Sequence, residues 1–265
     1  MKSIVFVVLA FELICNVVLA ANFSEDFTDG NMNGWITLDE PPNLLNDKGP
    51  SVWAVRQSPE PGNGWALNQS SNIWGDPPDI IPLGTFAIYD LAEWVNFELS
   101  VDVLAQDNDC LGLIWGWKER TKHYRFITMI DPANPEHPTA DKAPWSKIEK
   151  RLGDESPYYN TIARVKEASY VENSTTNFKL SVQNGVFKVY SNNKLVVEAK
   201  DAAYSGGKVG FTTIAQSGCY FDNIELVDSG TYVSPRSKLP VRWASLKVQQ
   251  REQITNPFRE WLMMR

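Results

Sequence analysis

Aromatic and polar side chains suited to binding a sugar ring occur together on two neighbouring segments. Trp115 and Trp117 end an apolar run, and His123, Tyr124 and Arg125 open the next run after a charged turn. Sugar recognition combines aromatic rings, which stack on CH-rich sugar faces, with a few directed hydrogen bonds. Because side chains alternate along a strand, we expect Trp115 and Trp117 on one face and His123 with Arg125 on one face of the next strand. The pattern predicts a glycan-binding platform, with an aromatic core as the alternative for one tryptophan.

A short acidic run just before these segments could hold a cation. Asp107, Asn108 and Asp109 offer side-chain oxygens and free loop carbonyls within a small space. Calcium takes six to eight oxygen ligands of this kind. The run is therefore a candidate calcium site, and the alternative is a solvated turn.

Short strand-like segments separated by turn signals must position these residues. Asn184-Gly185 and Asn192-Asn193 are hairpin signals, and the Pro-rich residues 131–146 predict a long loop. No helical periodicity appears before residue 240, so the pattern predicts an all-β sandwich of two antiparallel sheets. The predicted strands include 52–56, 65–69, 97–104, 111–117, 123–130, 161–165, 178–182, 186–190, 195–198, 208–214 and 219–227.

The first twenty residues have the pattern of a secretory signal. Lys2 precedes an apolar stretch, and Val18 and Ala20 satisfy the small-residue rule for cleavage after Ala20. Glu12 interrupts the stretch, which disfavours a retained membrane span. We expect a protein located outside the cytoplasm, either secreted, periplasmic or at the cell surface, with a lipid-anchored form as the alternative.

Cleavage would leave two cysteines, Cys110 and Cys219. In an oxidising compartment an even pair is a candidate disulfide. Two small buried thiols are the alternative.

Charge divides the remaining chain into two parts. Residues 21–228 carry 17 basic and 29 acidic side chains, whereas residues 229–265 form a predicted linker and basic tail. An acidic domain is a poor ligand for nucleic acids and anionic membranes. Neutral glycans and divalent cations are compatible with it.

Four segments occur in a familiar order: GPSVWAVRQSPEPGNGWALNQSSN, DNDCLGLIWGWKERTKHYRFITM, NFKLSVQNGVFKVYSNNKLVVEA and GGKVGFTTIAQSGCYFDNIEL. Together they resemble the C-terminal lectin-like domain of thrombospondins and its bacterial relatives, which are laminin-G-like members of the concanavalin-A-like superfamily. The resemblance covers about residues 23–228 and implies a jelly roll with a convex and a concave sheet.

The resemblance also implies calcium in loops at the edge of the sandwich. The family's acidic run corresponds to Asp107 and Asp109, although Asn108 replaces a carboxylate, and the acidic position in its closing strand corresponds to Asp222. An antiparallel closing strand beside 97–104 would bring Asp222 near Asp107 and Cys219 near Cys110. The predicted metal set is therefore Asp107, Asn108, Asp109 and Asp222.

Catalytic signatures of enzymes with this fold are absent. The Glu-x-Asp-x-x-Glu motif of laminarinase-type hydrolases does not occur, and two histidines exclude a His-rich metal centre. The sequence therefore favours a non-catalytic carbohydrate-binding or adhesion module with structural calcium, whose partner is a glycan or a matrix or cell-surface ligand. The alternatives are a glycoside hydrolase or polysaccharide lyase using His123, Tyr124 and Arg125, and a domain for extracellular protein–protein interaction.

Overall fold

The computed structural model describes residues 22–40, 49–60, 64–73, 83–131 and 142–229. In these ranges the regular structure is β-strand. No helix occurs in them, and therefore no helix long and apolar enough to cross a membrane. The predicted signal peptide lies outside the described residues, as does all of the predicted tail except Ser229. The strands are β1 Phe23–Glu25, β2 Trp35–Asp39, β3 Trp53–Gln57, β4 Trp65–Gln69, β5 Thr85–Tyr89, β6 Phe97–Ala105, β7 Cys110–Glu119, β8 Lys122–Met129, β9 Trp145–Arg151, β10 Tyr159–Val165, β11 Thr175–Gln183, β12 Val186–Ser191, β13 Lys194–Lys200, β14 Lys208–Ile214 and β15 Cys219–Asp228.

The strands form two antiparallel sheets. The first sheet has the order β13-β12-β11-β6-β15-β4-β3, with β1 paired to β15. The second sheet has the order β10-β9-β8-β7-β14-β5-β2. Neighbours within each sheet are often far apart in sequence, which is the interleaved order of a jelly roll. The predicted fold class is thereby confirmed.

Two tight turns explain the successive hairpins at one edge of the first sheet. Asn184 and Gly185 join β11 to β12, and Asn192 and Asn193 join β12 to β13; all four residues have positive φ. Two consecutive residues of this conformation match the twist of paired strands, and Asn and Gly adopt it most readily. Both turns were predicted from sequence.

The core lies between the sheets and is built by alternation. In β6 the side chains of Phe97, Leu99, Val101 and Val103 point inward and are buried. Inward residues of the second sheet meet them, and these include Leu111, Leu113, Trp115, Phe126 and Ile148. The opposite face of the second sheet is called the outer face below.

A bulge in β7 reverses this alternation at its end. Ile114 pairs with Gly210 and Trp117 with Lys208, so three steps along β7 oppose two along β14. Gly116, within the bulge, has a φ of 60°. One extra residue moves the following side chain to the other face. Trp115 therefore packs in the core, whereas Trp117 joins Phe86, Ile88 and Ile114 on the outer face. The prediction that both tryptophans share one face is wrong for this reason.

The two cysteines are free and buried in the structure, so the predicted disulfide is not formed. Cys219 belongs to the core between the sheets, whereas Cys110 packs with Ile127, Met129 and Trp145 on the outer face. The antiparallel register does bring Cys219 opposite Ala105, close to the 106–109 loop. The two side chains nevertheless lie on different faces of different sheets and do not meet. Burial raises the pKa of both thiols.

We predict that Gly116→Ala destabilises the protein more than Gly30→Ala. Both glycines have positive φ, at which a Cβ costs about 1–2 kcal/mol. At Gly116 the added Cβ would also lie 3.2 Å from the Tyr124 ring, whereas a Cβ added at Gly30 would have no other atom within 4 Å. We expect a loss of about 2–3 kcal/mol for Gly116→Ala. Urea unfolding of both variants measures this, and equal losses would show that the packing around the bulge tolerates a side chain.

Candidate functional site

The outer face of the second sheet carries a cluster of charged and aromatic side chains on strands β7 to β10. Cross-strand register places Ile114 beside Arg125, Arg125 beside Glu149, and Glu149 beside Thr161. Alternation then puts His123 on the same face as Arg125, and Arg151 on the same face as Glu149. We call the set Glu40, Trp117, Arg120, His123, Arg125, Glu149, Arg151, Asp154 and Tyr159 the outer-face cluster.

Arg125 is the centre of this cluster and is fully buried. Its Nε and Nη2 donate to Glu149 Oε2 at 2.8 and 2.6 Å. Its guanidinium carbon lies 3.4 Å from the centroid of the Tyr159 ring, a cation–π contact. Its Nη1 has no hydrogen-bond partner. One donor of the buried guanidinium is thus left without an acceptor.

A second buried ion pair lies beside the first. Glu40 Oε1 is 3.0 Å from Arg151 Nη1, and Arg151 Nη2 donates to Glu40 Oε2 at 3.2 Å. Arg120 reaches both Glu40 and Asp154, and the Asp154 side chain is 46% exposed. Burial raises the pKa of Glu40 despite the opposing effect of Arg151 and Arg120. The network therefore runs from solvent at Asp154 to a fully buried carboxyl group.

A histidine and a tyrosine face each other within the cluster. His123 Nε2 lies 3.1 Å from the Tyr159 hydroxyl, and the imidazole stacks on Trp117 with ring centroids 4.8 Å apart. Burial, with Arg125 and Arg151 nearby, holds the pKa of His123 well below its ordinary value. Burial also raises the pKa of Tyr159 to about 12. At neutral pH the pair is a neutral imidazole and a neutral phenol.

The structure brings together part of the predicted platform. Trp117, His123 and Arg125 meet on the outer face, and the shared face of His123 and Arg125 is as predicted. Trp115 and Tyr124 instead point into the core, where the Tyr124 hydroxyl donates to Asp201 at 2.5 Å. All five side chains are buried, so they are not an open platform.

Sequence reasoning missed six members of the outer-face cluster: Glu40, Arg120, Glu149, Arg151, Asp154 and Tyr159. Three of these lie on β9 and β10, where no strand was predicted between residues 147 and 160. The run Trp145–Arg151 alternates Trp145, Lys147, Glu149 and Arg151 with Ser146, Ile148 and Lys150. Its two apolar residues, Trp145 and Ile148, are three positions apart, so no hydrophobic period of two marks the segment as a strand, and its polarity is typical of exposed loops.

The predicted metal residues separate into two places. Asp107, Asn108 and Asp109 lie in the loop between β6 and β7, whereas Asp222 pairs with Asp102 along β15. Burial, with Asp107 and Asp131 nearby, raises the pKa of Asp109 to about 7.

Protein donors already use part of this acidic loop. The carbonyls of Asp107 and Asp109 accept from Tyr170, and the Asp107 carboxylate accepts from two backbone N–H groups. Across the described ranges no three carboxylate, histidine or cysteine side chains are placed to hold one metal ion. The predicted four residues therefore do not form a single site.

Together, fold and cluster define a two-sheet jelly-roll sandwich with a buried polar network on one face. No protein-family model matches the chain, and no curated protein matches it either. Among solved structures it is similar to a carbohydrate-binding module, CBM66, from Bacillus subtilis, with 19% identity, a TM-score of 0.49, and coverage of 73% of this chain and 95% of that one.

Two further structures have comparable scores. A Parabacteroides distasonis protein, provisionally assigned as a glycosyl hydrolase, has 14% identity and a TM-score of 0.47, covering 77% of this chain and 93% of that one. The exoplasmic domain of VIP36, bound to Ca²⁺ and Man3GlcNAc, has 11% identity and a TM-score of 0.43, covering 76% and 92%.

We predict that Glu149→Gln costs far more stability than Glu93→Gln. The first change leaves the Arg125 charge buried without a counterion, which costs about 3–5 kcal/mol. Glu93 pairs with Lys118, but the side chains are 50% and 40% exposed, and such a pair contributes less than about 1 kcal/mol. Guanidinium unfolding of both variants measures the difference. Equal losses would mean that Arg125 is hydrated and not buried as described.

Proposed function

We propose that the protein is an extracellular carbohydrate-binding module whose ligand contacts the outer-face cluster. The observation that carries the proposal is the contact between aromatic rings and a buried, incompletely satisfied arginine on the face of the second sheet opposite the core. Trp117, His123 and Tyr159 supply rings, and Arg125 Nη1 supplies a free donor. A sugar needs both kinds of group. Because these side chains are buried, we place them at the floor of the site.

The polar groups of the cluster also suit a ligand rich in hydroxyls. Carboxylates of Glu40, Glu149 and Asp154 accept hydrogen bonds, and the guanidinium groups donate them. Each buried carboxylate is paired with an arginine, so a neutral ligand does not disturb the charge balance. Uncompensated charge would instead favour a charged ligand.

A second candidate function, a polysaccharide lyase, is favoured by the pairing of His123 with Tyr159 beneath Arg125. Tyr159, and not the predicted Tyr124, takes this place. In β-elimination a base removes the proton next to a uronate carboxylate, and an acid protonates the departing oxygen as a double bond forms. Arginine would pair with the carboxylate, and imidazole and phenol would exchange the protons. In this second candidate function the same residues would therefore cleave an acidic polysaccharide.

We predict that Trp117→Ala weakens glycan binding by roughly tenfold, because the Trp117 ring packs on His123 and forms part of the floor of the proposed site. Binding is measured by glycan array and then by calorimetry on the strongest neutral and uronate-containing ligands. Trp65→Ala is the matched control, because Trp65 is 45% exposed on the first sheet. Tyr159→Phe, which keeps the ring, serves as a second variant if Trp117→Ala fails to fold.

The outcomes of this experiment separate the two candidate functions. A blank array with folded protein, or equal binding by Trp117→Ala and wild type, would contradict the proposed site. Ultraviolet-absorbing unsaturated products from uronate polysaccharides would establish the lyase in place of a binding module.

We also propose calcium at the loop of Asp107, Asn108 and Asp109, where loop carbonyls and water would complete the ligand set and Asp222 takes no part. Burial raises the pKa of Asp109, with a further contribution from the nearby charges of Asp107 and Asp131, and a bound cation would offset both effects. We predict that calcium raises the melting temperature relative to a chelator, and that Asp109→Asn removes the difference. Asp222→Asn is the control and should keep it. A wild-type melting temperature that is the same with calcium and with a chelator would contradict the proposed calcium site.

A further inference from the structure

A cavity of about 160 Å³ lies at one end of the sandwich, between the two sheets. Its wall includes Trp94, Phe97, Trp115, Phe187 and Tyr204. Trp115 and Phe187 meet edge to face, with ring centroids 5.1 Å apart. At the opening, Ala202 and Ser205 are exposed to solvent, whereas Trp94, Phe97 and Trp115 are each at most 1% exposed. The cavity therefore has an aromatic floor and a rim of small residues.

Three chain segments are held in place around this cavity. Trp94 and Gly207 exchange two backbone hydrogen bonds of 2.9 and 3.0 Å. The backbone N–H of Asn184, in the β11–β12 turn, donates to Asn96 Oδ1 at 2.8 Å. Gly206 lines the cavity, and a Cβ there would lie 2.8 Å from the Trp94 carbonyl oxygen, so a side chain at this position would strain the wall. The cavity is thus built into the fold and is not a gap in a loose loop.

One wall residue has an unused hydrogen-bond donor. The indole Nε1 of Trp115 is buried and has no hydrogen-bond partner. Polar groups of the neighbouring Tyr204 are satisfied, since its hydroxyl donates to the Arg151 carbonyl at 2.7 Å and its backbone N–H to the Tyr124 hydroxyl at 3.0 Å. A buried donor without an acceptor costs free energy, and a ligand that supplies one recovers it.

The volume of the cavity and the unsatisfied Trp115 donor together limit the ligand. An apolar cavity of about 150 Å³ in another protein stays dry and binds benzene. We propose that this cavity binds a ring-sized, largely apolar ligand with one acceptor oxygen, and that the oxygen accepts from Trp115 Nε1. The site is separate from the outer-face cluster, because Trp115 and Trp117 lie on opposite faces of β7.

Two small probes of similar size test the proposal. Acetophenone carries a carbonyl oxygen, and ethylbenzene has a similar shape without an acceptor. A ligand that binds only the folded state raises the melting temperature as its concentration exceeds its Kd. We expect acetophenone to bind the wild-type protein about three- to tenfold more tightly than ethylbenzene, the usual effect of one hydrogen bond. Thermal shift and tryptophan fluorescence titrations measure both affinities.

Trp115→Phe keeps an aromatic wall but lacks the N–H, so we expect it to bind the two probes equally. Trp65→Phe is the matched control, because Trp65 lies outside the cavity and should preserve the preference. If Trp115→Phe fails to fold, Ala202→Leu at the exposed rim narrows the opening and should weaken acetophenone binding. Equal binding of the two probes by wild type would overturn the proposal. Absence of any melting shift, or an unchanged preference in Trp115→Phe, would do so too.

Discussion

The bulge at Gly116 is the constraint on which both candidate sites depend. Strict alternation along β7 would send Trp115 and Trp117 to the same face. The extra residue opposite β14 instead leaves Trp115 between the sheets and turns Trp117 outward. Trp117 then stacks on His123, whereas Trp115 forms a wall of the cavity. A single backbone irregularity, made possible by a glycine with a φ of 60°, thus divides two tryptophans between two environments.

Charges on the outer face are buried, and that burial requires paired positions in neighbouring strands. Arg125 and Glu149 are opposite each other in the register of β8 and β9, so their ion pair follows from strand pairing. Arg151 forms an ion pair with Glu40, which is 111 residues away in the sequence. Removing Glu149 would leave the buried charge of Arg125 without a counterion in a medium of low polarity, where it is strongly unfavourable. The pairs therefore bind these strands and the segment at Glu40 into one cluster.

Local patterns were enough to predict most strands and the sandwich, but not the composition of the site. Phe97 to Val103 alternates cleanly, and Asn184-Gly185 has a conformational preference that a single sequence reveals. The reversal at Gly116 could not be predicted in this way, because a bulge is defined by pairing with β14 and not by the residues of β7 alone. Glu149 and Arg151 were missed because a charged strand looks like a loop until its partners are known. The strand that carries Asp222 and Cys219 was placed beside the correct neighbouring strand. Contact also depends on the register of the pairing and on the face that each side chain occupies. In the structure these two factors separate Asp222 from Asp107 and Cys219 from Cys110.

Charge balance ranks the two functions proposed for the outer face. Elimination from a uronate develops negative charge on the substrate, and an arginine stabilises it best when that arginine has no other counterion. Arg125 is already paired with Glu149 at 2.6 Å, and Arg151 with Glu40 at 3.0 Å. Their positive charges are largely compensated before any ligand arrives. What Arg125 retains is one N–H donor, which suits a sugar hydroxyl or ring oxygen. The geometry therefore favours binding over cleavage, because it preserves directed hydrogen bonding while removing most of the electrostatic stabilisation that catalysis would use.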